Sequence, residues 1–360
     1  MSVVTRLSIR ARAMVVGGVA SLALLAVGAF VPIPYVALGP GVTYNTLSAV
    51  GGTEVITFSG SGVPASVSED KGPGHLNMTT ISVYDHQTLF QAIGLWADGD
   101  YSLVPREEIF PPDKTVEQVN RENAQQFSDS QSNAEIAALR YLKYPNVVYV
   151  GTIPESSPSA GVLQPQDQIT AVDGTAVTDY ASLRAVLART RPGQVATVTV
   201  DRGGKRVDAR VTLADAAKTG APAGSTQGFL GIGAVERPKA PFTIKISLAN
   251  IGGPSAGLMF TLGVIDKLTP GDLTGGRFIA GTGTMEIDDD KGTVGAIGGI
   301  LMKEIAARDA GATVFLVPAD NCAEALTRVP DGLQLVKVAT LSDAMAALKT
   351  LAGGGTPPGC

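Results

Sequence analysis

Ser255 and Lys303 are the two residues whose types and settings could together do covalent chemistry. Ser255 lies in Ile251-Gly252-Gly253-Pro254-Ser255-Ala256-Gly257, a run too rich in glycine to be the body of a strand or a helix. The residues that follow have helical apolar spacing, with Leu258, Leu262, Ile265 and Leu268 on one face. The pattern predicts a tight turn feeding a helix, with Ser255 exposed at its start. Pro254 suits a first turn, where a missing N–H is harmless. The unpaired N–H groups of such a turn can bind an anion. An exposed hydroxyl beside such donors meets the needs of a nucleophile with an oxyanion hole, with Gly253 and Ala256 as supporting positions. The simpler reading is a helix N-cap serine in a glycine turn.

A serine nucleophile needs a base. The chain has only His75 and His86, both far upstream and in no triad motif. Downstream, Gly295-Ala296-Ile297-Gly298-Gly299-Ile300-Leu301-Met302-Lys303 again reads as a glycine turn entering a helix, with Lys303 in its early turns. A lysine can serve as base only if burial brings its pKa down from about 10.4 towards neutrality. The positive end of a helix dipole acts the same way. Ile300, Leu301 and Met302 around it make burial plausible; the simpler reading is a solvated lysine.

Together the two segments resemble the proteolytic domain of the Lon protease family. That family's Gly-Pro-Ser-Ala-Gly is matched by Gly253 to Gly257, and its Pro-Ile-Gly-Gly-Leu-x-x-Lys by Ala296 to Lys303, with Ala for Pro and Ile for Leu. Thr282-Gly283-Thr284 approximates its Thr-Gly-Glu, and Ala312 to Pro318 fits the strand after the lysine helix. The resemblance covers roughly 228–350 and implies a Ser255–Lys303 dyad, with Thr282 as a further candidate to orient the lysine. It implies an α+β fold of the ribosomal protein S5 domain 2-like class. Two departures stand out. Gly252 occupies the place of an acidic residue three before the serine, and the segment around Asp288-Asp289-Asp290 is a few residues longer.

These residues must be positioned by the rest of a 360-residue chain, long enough for two or three domains. Charged residues make up 17% and the net charge is −5, with no basic patch, so no nucleic-acid partner is expected. Cys322 and Cys360 suggest neither a disulfide framework nor a metal site. Arg6, Arg10 and Arg12 precede an uncharged apolar run from Met14 to Val31, and no charge returns until Glu54. That run is just long enough to span a bilayer. The basic flank should stay in the cytoplasm, placing everything after residue 35 outside a bacterial membrane. The competing reading is a signal peptide cut near Ala26 or Gly28.

Residues 36–142 read as a separate, irregular extracytoplasmic α+β segment, with strand candidates at 55–58 and 80–84 and a helix over 114–141. Trp96, His75 and His86 lack converging polar groups and read as structural. From 143 to 214 comes a compact module: strand 147–150, the loop Pro154 to Leu163, a hairpin through Asp173-Gly174, a helix 180–190 and two strands around Gly203-Gly204. This order resembles a bacterial PDZ domain, with Ser157 to Asp167 approximating Ser-Pro-x-x-x-Ala-Gly-Leu-x-x-Gly-Asp and Gln166 in the glycine place. Such domains pair an extended peptide with a strand edge, often at its C-terminal carboxylate. The resemblance puts that edge at Val147, Val148, Tyr149 and Val150 and the carboxylate loop at Tyr144-Pro145-Asn146. The alternative is a small β domain that docks within the chain. A linker is expected at 215–227, a Lon-like domain over 228–350 and a disordered tail at 351–360.

Lon proteases normally carry an ATPase, yet no Gly-x-x-x-x-Gly-Lys-Ser/Thr loop occurs here, and Lys205 after Gly203-Gly204 is followed by Arg206. No cofactor is expected. The arrangement resembles the small bacterial membrane-anchored Lon-like proteases with a PDZ domain. It implies an ATP-independent serine endopeptidase acting on extended or unfolded segments, and a ring-forming homo-oligomer, a hexamer, by the same resemblance. A catalytically silent PDZ adaptor, or a protease that cuts only itself, are the other readings.

Overall fold

A computed structural model describes residues 9–69, 71–215, 226–248, 251–289 and 291–360. Arg6 and positions 216–225 of the expected linker lie outside these residues. Helix α1 (Ile9–Phe30) is followed by β1 (Tyr35–Asn45), β2 (His75–Tyr84), α2 (Leu89–Asp98), β3 (Ser102–Pro105) and α3 (Val116–Tyr141). Next come β4 (Asn146–Thr152), β5 (Gln168–Val172), α4 (Tyr180–Leu187), β6 (Val195–Arg202), β7 (Lys205–Thr212) and β8 (Gly233–Pro238). Then follow α5 (Gly257–Leu268), β9 (Phe278–Gly281), α6 (Ile300–Asp309), β10 (Val314–Pro318), β11 (Gln334–Val338) and α7 (Leu341–Ala352). The chain divides into two units. The first comprises Met1–Phe58, Pro64–Glu135 and Ile244–Cys360, and the second Ser59–Val63 and Ile136–Thr243.

The first unit is built on a six-stranded sheet in the order β11-β10-β9-β2-β1-β3. The ladders from β11 to β2 are parallel, and those of β1 with β2 and β3 are antiparallel. This corrects the expected separate segment at 36–142. Its strands complete the sheet that carries the serine and lysine helices, because β9 alone would leave a buried parallel strand with an open edge. Helix α5 is buried on all sides from Gly257 to Asp266 and again at Leu268, as a helix at the centre of a core must be. Helix α1 is long and apolar enough to cross a membrane by length and composition. Its 22 residues span about 33 Å, and most of its side chains are exposed.

The expected disordered tail is also corrected. Cys322 and Cys360 form a disulfide. The Lys337 N–H donates to Pro358 O (3.1 Å), and Leu351 is buried. The pairing joins cysteines 38 residues apart that no local pattern connects.

The second unit is an antiparallel sheet in the order β7-β6-β5-β4-β8, with α4 against it and a core that includes Val148, Ile169, Leu183 and Val198. Gln166 has a φ of 72°, the left-handed conformation that explains glycine as the usual residue there. Asp167 is buried and holds Arg202 at 2.6 Å. The domain start expected at 228 shifts, because β8 joins this sheet by pairing with β4. Strand β4 therefore lies between β5 and β8, and the free edge expected at Val147–Val150 does not exist.

Candidate active site

The turn before α5 is set from both sides. Gly253 has a φ of 87°, which a side chain would strain. Its N–H donates to Asn123 O on α3 (2.8 Å), so Gly253 shapes the turn and its donor is already engaged. A Cβ on Gly252 would stand 2.8 Å from Asn123 Cβ. Asn123 of α3 thus fills the place where an acidic side chain was expected. Ser130, buried on the same helix, donates through Oγ to Pro254 O (2.9 Å). Asn133 Nδ2 donates to Met285 O (3.2 Å) on the far side of the site.

Ser255 is half-buried. Its carbonyl accepts from the Gly283 N–H (2.9 Å) and from Thr282 Oγ1 (3.0 Å), which locks the serine turn to the loop after β9. The N–H groups of Ser255 and of buried Ala256 have no hydrogen-bond partner among the described residues, as donors reserved for an incoming oxyanion would be.

Lys303 sits in the first turns of α6, whose entry residue Gly299 has a φ of 72°. Its Nζ lies 2.6 Å from Ser255 Oγ and 3.0 Å from Thr282 Oγ1. The residue is 3% exposed, and burial lowers its pKa from 10.5 to about 7. The next residue, Glu304, is fully buried with both oxygens unpartnered among the described residues. Burial, with Glu324 nearby, pushes its pKa up to about 8, so at neutral pH it supplies no counter-charge. Because the Thr282 hydroxyl donates to Ser255 O, a lone pair of its oxygen receives one Lys303 N–H. A neutral amine held that way can turn its own lone pair to the Ser255 hydroxyl.

The structure thus brings Ser255, Lys303, Thr282 and Ala256 together. The site opens into a groove of about 1000 Å³. One wall is β2. Strand β9 pairs with β2 only from His75 to Met78, while β1 pairs it to Tyr84. The β9-facing edge of Thr80–Val83 therefore has no strand partner among the described residues where it runs along the groove. The opposite wall is α3, through Val119, Asn123 and Phe127. These contributions had no motif to announce them. The helix expected over 114–141 carries no motif, and its part in the site shows only in its contacts with the serine turn.

The residues expected to bind peptide are placed otherwise. Val148 and Val150 are core residues, and Val147 to Val150 face Arg237 to Ala234 of β8 across the ladder. At the expected carboxylate loop, Pro145 O accepts from the Lys239 N–H (3.0 Å), Asn146 pairs with Pro238, and the Tyr144 ring packs on Phe242.

Two family models match parts of the chain. Residues 249–350 match the family model of the Lon protease (S16) C-terminal proteolytic domain, and residues 118–213 that of the PDZ domain. The PDZ match begins inside α3, most of which belongs to the first unit. Among solved structures, the chain is similar to the PDZ domain of an SdrC-like protein from Listeria innocua. The two are 26% identical over 24% of this chain and 92% of that one, with a TM-score of 0.21. The corresponding domain from Listeria monocytogenes is 26% identical over 25% and 87%, with a TM-score of 0.22. No curated protein matches the chain. The chain joins a PDZ domain to a proteolytic domain of the Lon type, with one apolar helix near its N-terminus.

Proposed function

We propose that this Lon-type protease is a serine endopeptidase working through a Ser255–Lys303 dyad. The observation that carries the reading is the 2.6 Å approach of Lys303 Nζ to Ser255 Oγ in a buried site that brings the lysine pKa to about 7. Neutral Lys303 takes the Ser255 proton as Oγ attacks the scissile carbonyl. The N–H groups of Ser255 and Ala256 receive the oxyanion. Lys303 then gives its proton to the leaving amine, and later takes one from the water that hydrolyses the acyl-enzyme. Thr282 orients the amine.

The substrate reading follows from the groove. An extended segment adds to the unpaired β2 edge beside Ser255, and a folded one cannot. With no phosphate loop in the sequence to support an unfolding motor, the substrate is already extended or loosely folded. The PDZ domain supplies recognition, but at β8 rather than at β4. Strand β8 is the outermost strand on that side of its sheet, α4 packs beside it, and the loop Leu230–Ile232 leads into it.

Helix α1 anchors the chain in a bacterial membrane with the rest outside. Arg10 and Arg12 lie at its start and no acidic or basic residue lies in its last turn. The Cys322–Cys360 disulfide fits an oxidising compartment. The test is cleavage of unfolded casein and of peptide libraries by the full chain in detergent. Ser255→Ala and Lys303→Ala each remove nearly all activity, and the double variant loses little more. Lys303→Arg is equally inactive, because a guanidinium stays charged. Substantial cleavage by a folded Lys303→Arg protein rejects the dyad. A wild-type chain that cleaves nothing but binds peptides at β8 is an adaptor instead.

A further inference from the structure

Helix α2 leaves an apolar face uncovered right beside the end of α1. Its N-terminus is well made, with a capping box between Thr88 and Gln91, and Gly99 closes it in the left-handed conformation. Ala92 faces inward at 2% exposure. On the other side Leu89, Phe90, Ile93 and Trp96 are 44%, 46%, 49% and 68% exposed. Leu89, Ile93 and Trp96, with Ala92 at the floor and Ile33, Tyr35 and Leu103 around them, form a shallow apolar recess of about 320 Å³. A soluble surface rarely leaves four large apolar residues of one short helix bare without a partner.

The position of this face identifies the partner. The Ile33 N–H donates to Gln87 O (2.8 Å), and Pro32 bridges to Thr88, so the start of α2 is fixed to the exit of α1. Gly28, in the last turns of α1, leaves room for the Phe90 ring; a Cβ there would stand 3.0 Å from it. The bare face of α2 therefore continues the bare surface of α1, where Leu25, Val27 and Phe30 are 54%, 54% and 81% exposed. No charged residue occurs between Met14 and Val50 or within α2 before Asp98. Trp96 is the only tryptophan of the chain, and tryptophan concentrates at the headgroup level.

We propose that α2 is an interfacial helix, inserted through Leu89, Phe90, Ile93 and Trp96 into the lipid surface at the outer end of α1. The inference rests on the reading of α1 as a membrane span. Its effect is to dock the first unit on the bilayer, where the span alone would tether it. An amphipathic helix of this kind lies at about 5–10 Å depth, among headgroups and the first acyl carbons.

The single tryptophan makes the test direct. The full chain is reconstituted into vesicles of phosphatidylethanolamine and phosphatidylglycerol, and its insertion is checked by flotation after alkaline washing. Trp96 emission is then read with lipids brominated near the headgroup, with lipids brominated at the chain end, and with aqueous iodide. The expected result is blue-shifted emission that loses most of its intensity to the shallow bromines, less to the deep ones and little to iodide. Three results overturn the proposal. Inserted protein quenched by iodide and not by either bromolipid has a face open to water. Inserted protein shielded from both has its face covered by a second copy or another protein. Protein that does not float fails the membrane-span reading itself, and the inference falls with it.

Discussion

Replacing Lys303 by methionine tests the proposed base through stability, with no substrate involved. In the folded chain the pKa of Lys303 is about 7 against an ordinary 10.5. Below pH 7 the amine is charged in both states, and burying that charge costs folding about 5 kcal/mol at 1.36 kcal/mol for each pH unit between the two values. Between pH 7 and 10.5 the unfolded lysine still holds its proton while the folded one has lost it, so the stability of the parent rises with pH. The cost falls to about 4 kcal/mol at pH 7, about 2 kcal/mol at pH 9, and vanishes above the unfolded pKa. Methionine fills most of the same volume and carries no charge. It forfeits the contacts with Ser255 Oγ and Thr282 Oγ1, worth about 1 kcal/mol each and largely independent of pH. Lys303→Met is therefore inactive yet more stable than the parent at pH 7 by about 2 kcal/mol, and that advantage shrinks by about 2 kcal/mol by pH 9. Hydrogen exchange at the amides of α5, buried throughout, reads the opening free energy of the first unit once intrinsic exchange rates are corrected for pH. Parallel changes in parent and variant between pH 7 and pH 9 would mean that Lys303 titrates as an ordinary lysine, and the reasoning behind the dyad would collapse.

Other consequences can be checked independently. Thr282→Val keeps the shape of the site but removes the acceptor for the Lys303 N–H; peptide cleavage should fall about 10-fold in kcat, with a changed apparent pKa in the pH–rate profile. Ser130→Ala removes the donor to Pro254 O and should lower kcat by a similar factor of about 10 with KM little altered, an effect that Ser130→Thr partly restores. Peptides with a free C-terminal carboxylate should shift the amide signals of Gly233 to Glu236 in β8 and of Ile232 just before it, and amidated peptides should do so less; shifts confined to the interior of β4 would contradict the ladder order. Cys360→Ser opens a 38-residue loop, and thermal unfolding should show a loss of about 2–4 kcal/mol that reducing agent reproduces in the parent.

The candidate site was more legible in the sequence than the fold around it. The Ser255 turn and α5 could be read because their signals are local: a glycine run, one proline and apolar residues at helical spacing. Lys303 was legible for the same reason. Sheet order is set by partners far apart in the chain. The ladder of β2 with β9 joins His75 to Phe278, and nothing near either residue announces it, so 36–142 read as a body of its own. Strand β8 has the alternation of a strand and stands ahead of the serine turn, but alternation does not say which sheet it joins. It pairs backwards with β4, and the peptide edge moves with it. Asn123 and Ser130 were hidden by their surroundings, since a helix of mostly polar side chains looks solvated until its carbonyl and hydroxyl are seen against Gly253 and Pro254.

Only four residues separate the end of α1 at Phe30 from the start of β1 at Tyr35. Strand β1 then enters the sheet and lines the groove with Leu38, Val42 and Tyr44. At about 3.3 Å for each residue of strand, the groove can stand no further than roughly 30 Å from where β1 begins. If α1 spans the bilayer, the enzyme works within a thin layer and has no reach beyond it. A polypeptide held in the same bilayer, with a cleavable stretch about ten residues from its own span, can extend about 33 Å and never leaves that layer. Its encounter with Ser255 is governed by a local effective concentration, which for short tethers reaches the millimolar range, and a freely diffusing protein at cellular abundance competes poorly against it. On that condition the short connection would act as a filter, selecting neighbours in the membrane by the height at which they present an unfolded segment.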